Sequence, residues 1–221
     1  MNDVVTQHWP VWDKPVRFIH WYFPLAISFM WWTGEAGYMQ WHSWCGYSLL
    51  IATATRLSWG VVGSHYARFS QFINTPATVL RYLRGGEFDG PGHNPLGGYS
   101  TLLLLSLLIA QGLTGLASSD DILFEGPLAF WASQWAPSLG EWHETNWTIL
   151  LCAITLHVLA IVFYSLVKRQ AIVAAMWRGY APGREGQVKP VHSLWAIGWA
   201  IFWAAILAAI VVWAPQAPSY Y

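Results

Sequence analysis

The sequence contains little charge and no concentration of it. Only 10% of its 221 residues are Asp, Glu, Lys or Arg, and 11 basic residues balance 11 acidic ones. A protein that binds nucleic acid needs a basic patch, and the Lys and Arg residues here form no such run. Nucleic-acid binding is therefore excluded, and a hydrophobic content of 55% is typical of a protein whose solvent is lipid.

Cysteine is scarce as well. Cys45 and Cys152 are the two cysteines of the sequence, and neither belongs to the Cys-x-x-Cys-His motif that attaches haem covalently. The N-terminus lacks the basic start, short apolar core and small-residue cleavage site of a secretory signal. We therefore expect the first apolar segment to stay in the chain, and any haem to be held by ligation alone.

Five segments are long and apolar enough to cross the roughly 30 Å of bilayer hydrocarbon, which takes about 20 helical residues. They cover residues 16–33, 42–62, 96–117, 144–167 and 194–214. Asn94 and Pro95 mark the start of the third segment as an N-cap and a first-turn proline. The sequence shows no internal repeat. It thus predicts an all-α membrane protein, with residues 1–221 forming a single integral-membrane domain.

The basic residues at the ends of these segments and between them all fall on one side of the predicted topology. They are Lys14, Arg17, Arg68, Arg81, Arg84, Lys168, Arg169, Arg178, Arg184 and Lys189. The opposite side carries acidic residues instead: Glu35, Asp120, Asp121, Glu125 and Glu141. Cytoplasmic flanks retain Lys and Arg whereas translocated flanks lack them. We therefore expect the N-terminus in the cytoplasm and the C-terminus in the periplasm.

Four histidines lie in or at the ends of these segments, where an ionisable side chain is by default a functional hypothesis. His143 and His157 are 14 residues apart, which places them on one face of the fourth helix and about 21 Å apart along its axis. The helix directions match His42 with His143 at the outer level, and His20 with His157 at the inner level. We call these the outer pair and the inner pair.

Two histidine pairs at two depths are what a four-helix bundle needs to stack two haems, because each iron takes one ligand from each of two facing helices. The spacing therefore predicts a four-helix transmembrane haem-binding bundle with a fifth, C-terminal transmembrane helix. Two alternatives stay open from spacing alone. The histidines can be buried groups hydrogen-bonded to neighbouring helices, or they can serve a transition-metal ion transporter.

Two arginines are candidates for binding haem propionates. Arg56 lies 14 residues beyond His42, at the depth of the inner pair, where a guanidinium can pair with a propionate. The alternative for Arg56 is that it extends to the inner headgroups. Arg17, one turn before His20, is predicted to serve the same haem or to be an ordinary positive flank.

His93 and Asn94 precede the third segment at the inner depth, and together with Arg17 they are the candidates for a quinone site. The free N–H groups of a helix N-terminus favour negative charge on a bound ligand, and an imidazole can relay protons. The alternative is that Asn94 only caps the helix and that His93 is solvated.

At this point the chain resembles the bacterial cytochrome b561 family, which includes the b-type subunits of membrane-bound nickel–iron hydrogenases. The similarity covers nearly the whole chain. It rests on residues 11–21, His42 with Gly46 and Tyr47, residues 56–64, 67–69 and 92–97, residues 120–121 with 125–128, and His143 with His157.

The resemblance implies a cytochrome that holds two haem b groups, with iron ligated by His20, His42, His143 and His157. It implies electron transfer and no catalytic centre of its own. Members of the family exchange electrons between a membrane quinone, either menaquinone or ubiquinone, and a periplasmic c-type cytochrome or hydrogenase. The expected location is the bacterial inner membrane.

Overall fold

The structure is a computed structural model that describes residues 8–86, 88, 92–119, 124–182 and 191–214. Within these ranges the chain forms helices, two short strands and the turns and loops that connect them. The helices are α1 (Lys14–Glu35), α2 (Met39–Val62), α3 (Phe69–Phe72), α4 (Pro76–Leu83), α5 (Pro95–Ala117), α6 (Ala136–Leu166), α7 (Ile172–Arg178) and α8 (Leu194–Trp213). The strands β1 (His8–Pro10) and β2 (Tyr180–Pro182) pair antiparallel.

Among the described residues, three helices combine the length and apolar composition needed to cross a membrane: α5, α6 and α8. Helices α1 and α2 contain 22 and 24 residues, enough for about 33 Å and 36 Å, but their composition is more polar. The five predicted apolar segments each overlap one of these five long helices. That all five cross the bilayer remains a prediction.

Helix α6 begins at Ala136, about two turns before Glu144, where its apolar segment was predicted to start. The residues in these turns include Pro137 and Gly140, which are typical of a loop, but Pro137 stands in the first helical turn, where its missing N–H costs nothing. This corrects the helix start. His143 consequently lies within a continuous helix and not at the entrance to one.

Four long helices share one core. Ala26, Leu49, Leu108 and Leu150 form a buried cluster to which α1, α2, α5 and α6 each contribute one residue. Leu150 is only 1% exposed and stands midway in sequence between the two histidines of α6. Helix α8 packs against α2 outside this cluster. The hydrophobic centre of the group therefore separates the levels of the outer and inner pairs.

A cluster of hydrogen bonds around Asp13 joins the start of α1 to the end of α2. The Asp13 carboxylate caps α1 by accepting from the Val16 N–H at 2.9 Å, and it also accepts from Trp59 Nε1 at 2.7 Å and Ser64 Oγ at 2.5 Å. Trp59 is fully buried, so its indole N–H needs this acceptor. These hydrogen bonds fix the position of α1, and therefore of His20, along the direction of α2.

Candidate functional site

The outer pair is brought together between α2 and α6. The ring centroids of His42 and His143 lie 6.3 Å apart with an interplanar angle of 68°. Two imidazoles that bind one metal ion through nitrogen, each at about 2.0 Å, have ring centres about 6 Å apart. The side chains thus stand at the separation that shared coordination of one iron requires.

Hydrogen bonds fix the tautomer of both outer histidines. His42 Nδ1 lies 3.0 Å from the Met30 carbonyl, and His143 Nδ1 lies 3.0 Å from the Gln111 carbonyl. A carbonyl oxygen can only accept, so each Nδ1 carries the proton and donates. Each Nε2 is then left with a lone pair and has no hydrogen bond among the described residues. Metal-binding histidines have this arrangement, in which the second nitrogen donates to a carbonyl and orients the ring.

The His143 ring is further positioned by polar groups of α5. Thr114 Oγ1 lies 3.2 Å from His143 Nδ1 and donates its own proton to Ala110 O at 2.7 Å, so it accepts from the imidazole. Gln111 Nε2 donates to the His143 carbonyl at 3.1 Å, and Asn146 Nδ2 donates to Gln111 Oε1 at 2.5 Å. These contacts hold α6 in register against α5.

Glycine lets both rings approach a neighbouring helix. A Cβ on Gly115 would stand 2.9 Å from His143 Cε1, and one on Gly34 would stand 3.3 Å from His42 Nδ1. The first distance is shorter than real Cβ contacts, so any side chain at Gly115 displaces the imidazole. The glycine therefore belongs to the shape of the outer site.

The inner pair is less tightly organised. His157 Nδ1 lies 3.5 Å from Ser100 Oγ, which is at the limit of a hydrogen bond. His20 Nδ1 is buried and has no hydrogen-bond partner among the described residues. His157 and the positive charge of Arg56 both act electrostatically on His20. No ring contact joins His20 to His157 in the part of the chain that the structure describes.

Arg56 is buried in the inner half of α2 and does not extend to solvent. It is only 5% exposed, Nη1 donates to the Ala67 carbonyl at 3.3 Å, and the guanidinium carbon lies 5.5 Å from the Phe69 ring centre. Asp13 is close enough to interact with it electrostatically. A buried cation beside His20 suits a propionate or another anion.

Arg17 is engaged elsewhere. Its Nε donates to the Met176 carbonyl at 3.2 Å, and its Nη2 donates to the Trp177 carbonyl. These are carbonyls at the C-terminal end of α7, where a cation is favourable. The structure thus places Arg17 at a contact between α1 and α7.

His93 lies against aromatic rings next to the inner pair. Its ring centre is 4.7 Å from that of Trp12 and 4.3 Å from that of Phe72. Nε2 lies 3.1 Å from Thr101 Oγ1, whose proton goes to the Gly97 carbonyl, so Nε2 donates. Nδ1 is therefore an acceptor, and it is buried without a partner among the described residues.

The environment keeps His93 neutral. Burial is the main cause that lowers the pKa of His93, and electrostatic interaction with Arg56, His157 and His20 adds to it, so that the pKa falls to about 3. His93 is thus not solvated, and at neutral pH it offers a lone pair and no positive charge. Asn94 Oδ1 accepts from the Gly97 N–H at 2.7 Å, so Asn94 is the N-cap of α5.

Sequence reasoning missed the residues that position the outer pair. Gln111 and Asn146 carried a signal, because an amide side chain within an apolar segment needs a partner on a neighbouring helix. Thr114 carried none, because threonine satisfies its hydroxyl within its own helix. No group of three His, Cys, Asp or Glu side chains that could hold a metal ion is present among the described residues.

Comparison of the sequence with known proteins identifies its relatives. The sequence profile of prokaryotic cytochrome b561 matches residues 11–179. A relative from Cupriavidus necator, named "Probable Ni/Fe-hydrogenase B-type cytochrome subunit", is 27% identical over 77% of this chain and 85% of its own length. Proteins of the same name from Azotobacter chroococcum and Azotobacter vinelandii are 26% and 24% identical, each over 79% of this chain and 90% of their own length.

No solved structure gives a significant match. The profile nevertheless covers well over half of the chain, and the relatives are named as B-type cytochrome subunits. The apolar helices agree with a membrane location. The chain belongs to the prokaryotic cytochrome b561 family and is a membrane cytochrome b that works in electron transfer.

Proposed function

We propose that this chain holds two haem b groups, one at each histidine pair, and carries electrons between a membrane quinone and a periplasmic redox partner. The observation that carries the proposal is the outer pair: two imidazoles from different helices, 6.3 Å apart, with each Nδ1 donating to a carbonyl. The inner pair, with its buried cation, supports a second site. Helices α1, α2, α5 and α6 form the haem-binding bundle, and α8 is the fifth transmembrane helix.

The protein's own residues hold and tune each site. His42 and His143 would hold the outer haem through Nε2, and His20 and His157 would hold the inner one. Arg56 would neutralise a propionate of the inner haem in a poorly hydrated region. Haem b would supply one-electron exchange at each site when bound.

The quinone site lies on the inner side, next to His93 and Asn94. Support comes from His93 Nδ1, a buried acceptor with no partner among the described residues, which can accept a hydrogen bond from a quinol hydroxyl. Asn94 holds the N-terminus of α5 beside it. Because His93 is neutral at physiological pH, it positions the substrate through its lone pair instead of holding a proton. We leave Arg17 out of this site, since its guanidinium contacts α7.

The partner acts on the outer side. The flanks at residues 34–41 and 118–143 contain no Lys or Arg, in contrast with the opposite flanks, which supports a cytoplasmic N-terminus, a periplasmic C-terminus and an inner-membrane location. The acidic residues at 120 and 121 lie outside the described residues. The names of the relatives favour a nickel–iron hydrogenase as the partner. The acidic outer flank also suits a positively charged c-type cytochrome.

A haem assay tests the proposal most directly. The full-length protein purified in detergent should contain two b haems per chain and show a low-spin spectrum in a pyridine haemochrome assay. One haem per chain would overturn the inner site. No haem, together with bound zinc or copper in elemental analysis, would instead support a transition-metal transporter.

A further inference from the structure

The four ligand histidines are alike in burial but differ in hydrogen bonding. Each of them is half-buried. In the outer pair both Nδ1 atoms donate to backbone carbonyls at 3.0 Å, and His143 has the Thr114 hydroxyl as a second acceptor. In the inner pair His20 Nδ1 has no partner among the described residues, and His157 has only a serine hydroxyl at 3.5 Å.

This difference changes how strongly each pair donates to iron. An imidazole whose Nδ1–H is hydrogen-bonded to a carbonyl is more basic at Nε2. A more basic ligand stabilises Fe(III) more than Fe(II), because the oxidised iron carries the higher charge. The hydrogen bonds of the outer pair therefore lower the reduction potential there, and their weakness at the inner pair leaves its potential higher.

Nearby charge acts in the same direction. The buried guanidinium of Arg56 acts electrostatically on His20, and a fixed positive charge favours the reduced and less positive iron. The outer flanks at residues 34–41 and 118–143 contain acidic residues and no Lys or Arg, which favours the oxidised iron. The hydrogen bonds and the charges thus both predict a lower reduction potential at the outer pair than at the inner pair.

We infer that the chain is built so that the outer site has the lower reduction potential and the inner site the higher one, with the Nδ1 hydrogen bonds of His42 and His143 setting the difference. The inference rests on the proposed two-haem function. An electron passing from the outer haem to the inner one would then move downhill in energy. The step would oxidise the first haem by one electron, reduce the second by one electron and move no proton.

Redox titration of the full-length protein in lipid nanodiscs tests this order. Two components should appear, separated by at least tenfold in the reduction equilibrium, which is about 59 mV for one electron. His143→Ala should remove the lower component and His157→Ala the higher one. The reverse assignment would overturn the inference while leaving two haems in place, whereas fewer than two haems in the wild type would overturn the proposed function itself.

Two pairs of variants test the cause. Thr114→Val removes one acceptor of His143 Nδ1 and should raise only the lower component, by about threefold or about 28 mV. Thr114→Ser keeps the hydroxyl and should not. Thr148→Val is a matched control, because the Thr148 hydroxyl bonds only to the Glu144 carbonyl of its own helix. A shift of the higher component in Thr114→Val, or no shift of either component, would overturn the role of this hydrogen bond.

Arg56→Gln removes the buried charge and should lower the reduction potential of the higher component only. Arg56→Lys keeps the charge and should leave that potential close to its wild-type value. If Arg56→Gln lowered the outer component instead, the charge argument would be wrong.

Discussion

Replacing Gly115 with alanine should disrupt the haem of the outer pair and leave that of the inner pair in place. A Cβ at Gly115 would lie 2.9 Å from Cε1 and 3.2 Å from Nδ1 of His143. Carbon atoms make favourable contact from about 3.5 Å, so the imidazole must move by about 0.6 Å. Ligand distances in a metal site are held to about 0.2 Å. The displacement therefore exceeds what iron coordination tolerates.

The same substitution should not harm the helix itself. Alanine is favoured over glycine in a helix interior by about 1 kcal/mol, so α5 gains intrinsic stability. The expected result is a pyridine haemochrome value that falls from two haems per chain to about one. The helical circular dichroism of the protein should be unchanged, and the lower-potential component should be missing from redox titration.

Two glycines provide controls for the Gly115→Ala variant. Gly198 lies in α8 with nothing within 4 Å of an added Cβ, and Gly46 would bring a Cβ to 3.4 Å from the flexible end of Met30. Alanine at either position should leave both haems bound. Two low-spin haems with wild-type potentials in Gly115→Ala would show that His143 does not ligate iron in the orientation described.

Three further predictions concern the pairing of the histidines, the cap formed by Asp13 and the pH dependence that His93 introduces. His42→Ala should lose the same haem as His143→Ala, and His20→Ala the same haem as His157→Ala; a redox titration that groups His42→Ala with His157→Ala would show the pairing to be wrong. Asp13→Ala should lower the free energy of unfolding by about 2–4 kcal/mol, because it removes an N-cap and leaves Trp59 Nε1 without an acceptor. In chemical denaturation Asp13→Ser, which keeps a cap, should lose less, and equal losses would contradict the role of the cap. The pKa of His93 is about 3 in the folded protein against 6.5 for the free side chain, so the unfolded chain binds more protons between these values and stability must fall as the pH is lowered from 6.5 towards 3. This slope should be shallower in His93→Gln, and an unchanged slope would mean that His93 is not protected from protonation.

The long helices could be predicted because their signal is local. Hydropathy within one segment places α5 and α8 to within a residue or two, and Asn94 with Pro95 predicts the cap that is observed at α5. The start of α6 could not be predicted in this way, since Pro137 and Gly140 are typical of loops. The pairing of residues 8–10 with residues 180–182 was also missed, because nothing local marks two three-residue strands so far apart in sequence.

In the candidate site, too, the sequence showed the residues with a local signal but not the contacts between distant segments. The histidines stand out because an imidazole in an apolar segment is rare. Their main hydrogen-bond acceptors do not, because His42 and His143 each donate to a backbone carbonyl at 3.0 Å and every residue has one. Arg17 shows the same limit: its contact is with α7, a short helix that the sequence did not reveal. Whether it flanks the membrane or binds a cofactor could not be decided without that helix.

The outer pair also distinguishes between a structural and a cofactor-binding role for membrane histidines. A histidine that only ties helices together has reason to use both ring nitrogens, since an unpaired polar atom at membrane depth costs several kcal/mol. In His42 and His143, Nδ1 donates to an acceptor, whereas Nε2 has no hydrogen bond among the described residues. The Gln111 and Asn146 side chains reinforce this choice by fixing the backbone of α6. Haem held at both Nε2 atoms would join α2 to α6 only in the folded chain, so haem binding should stabilise the fold as well as equip it for electron transfer.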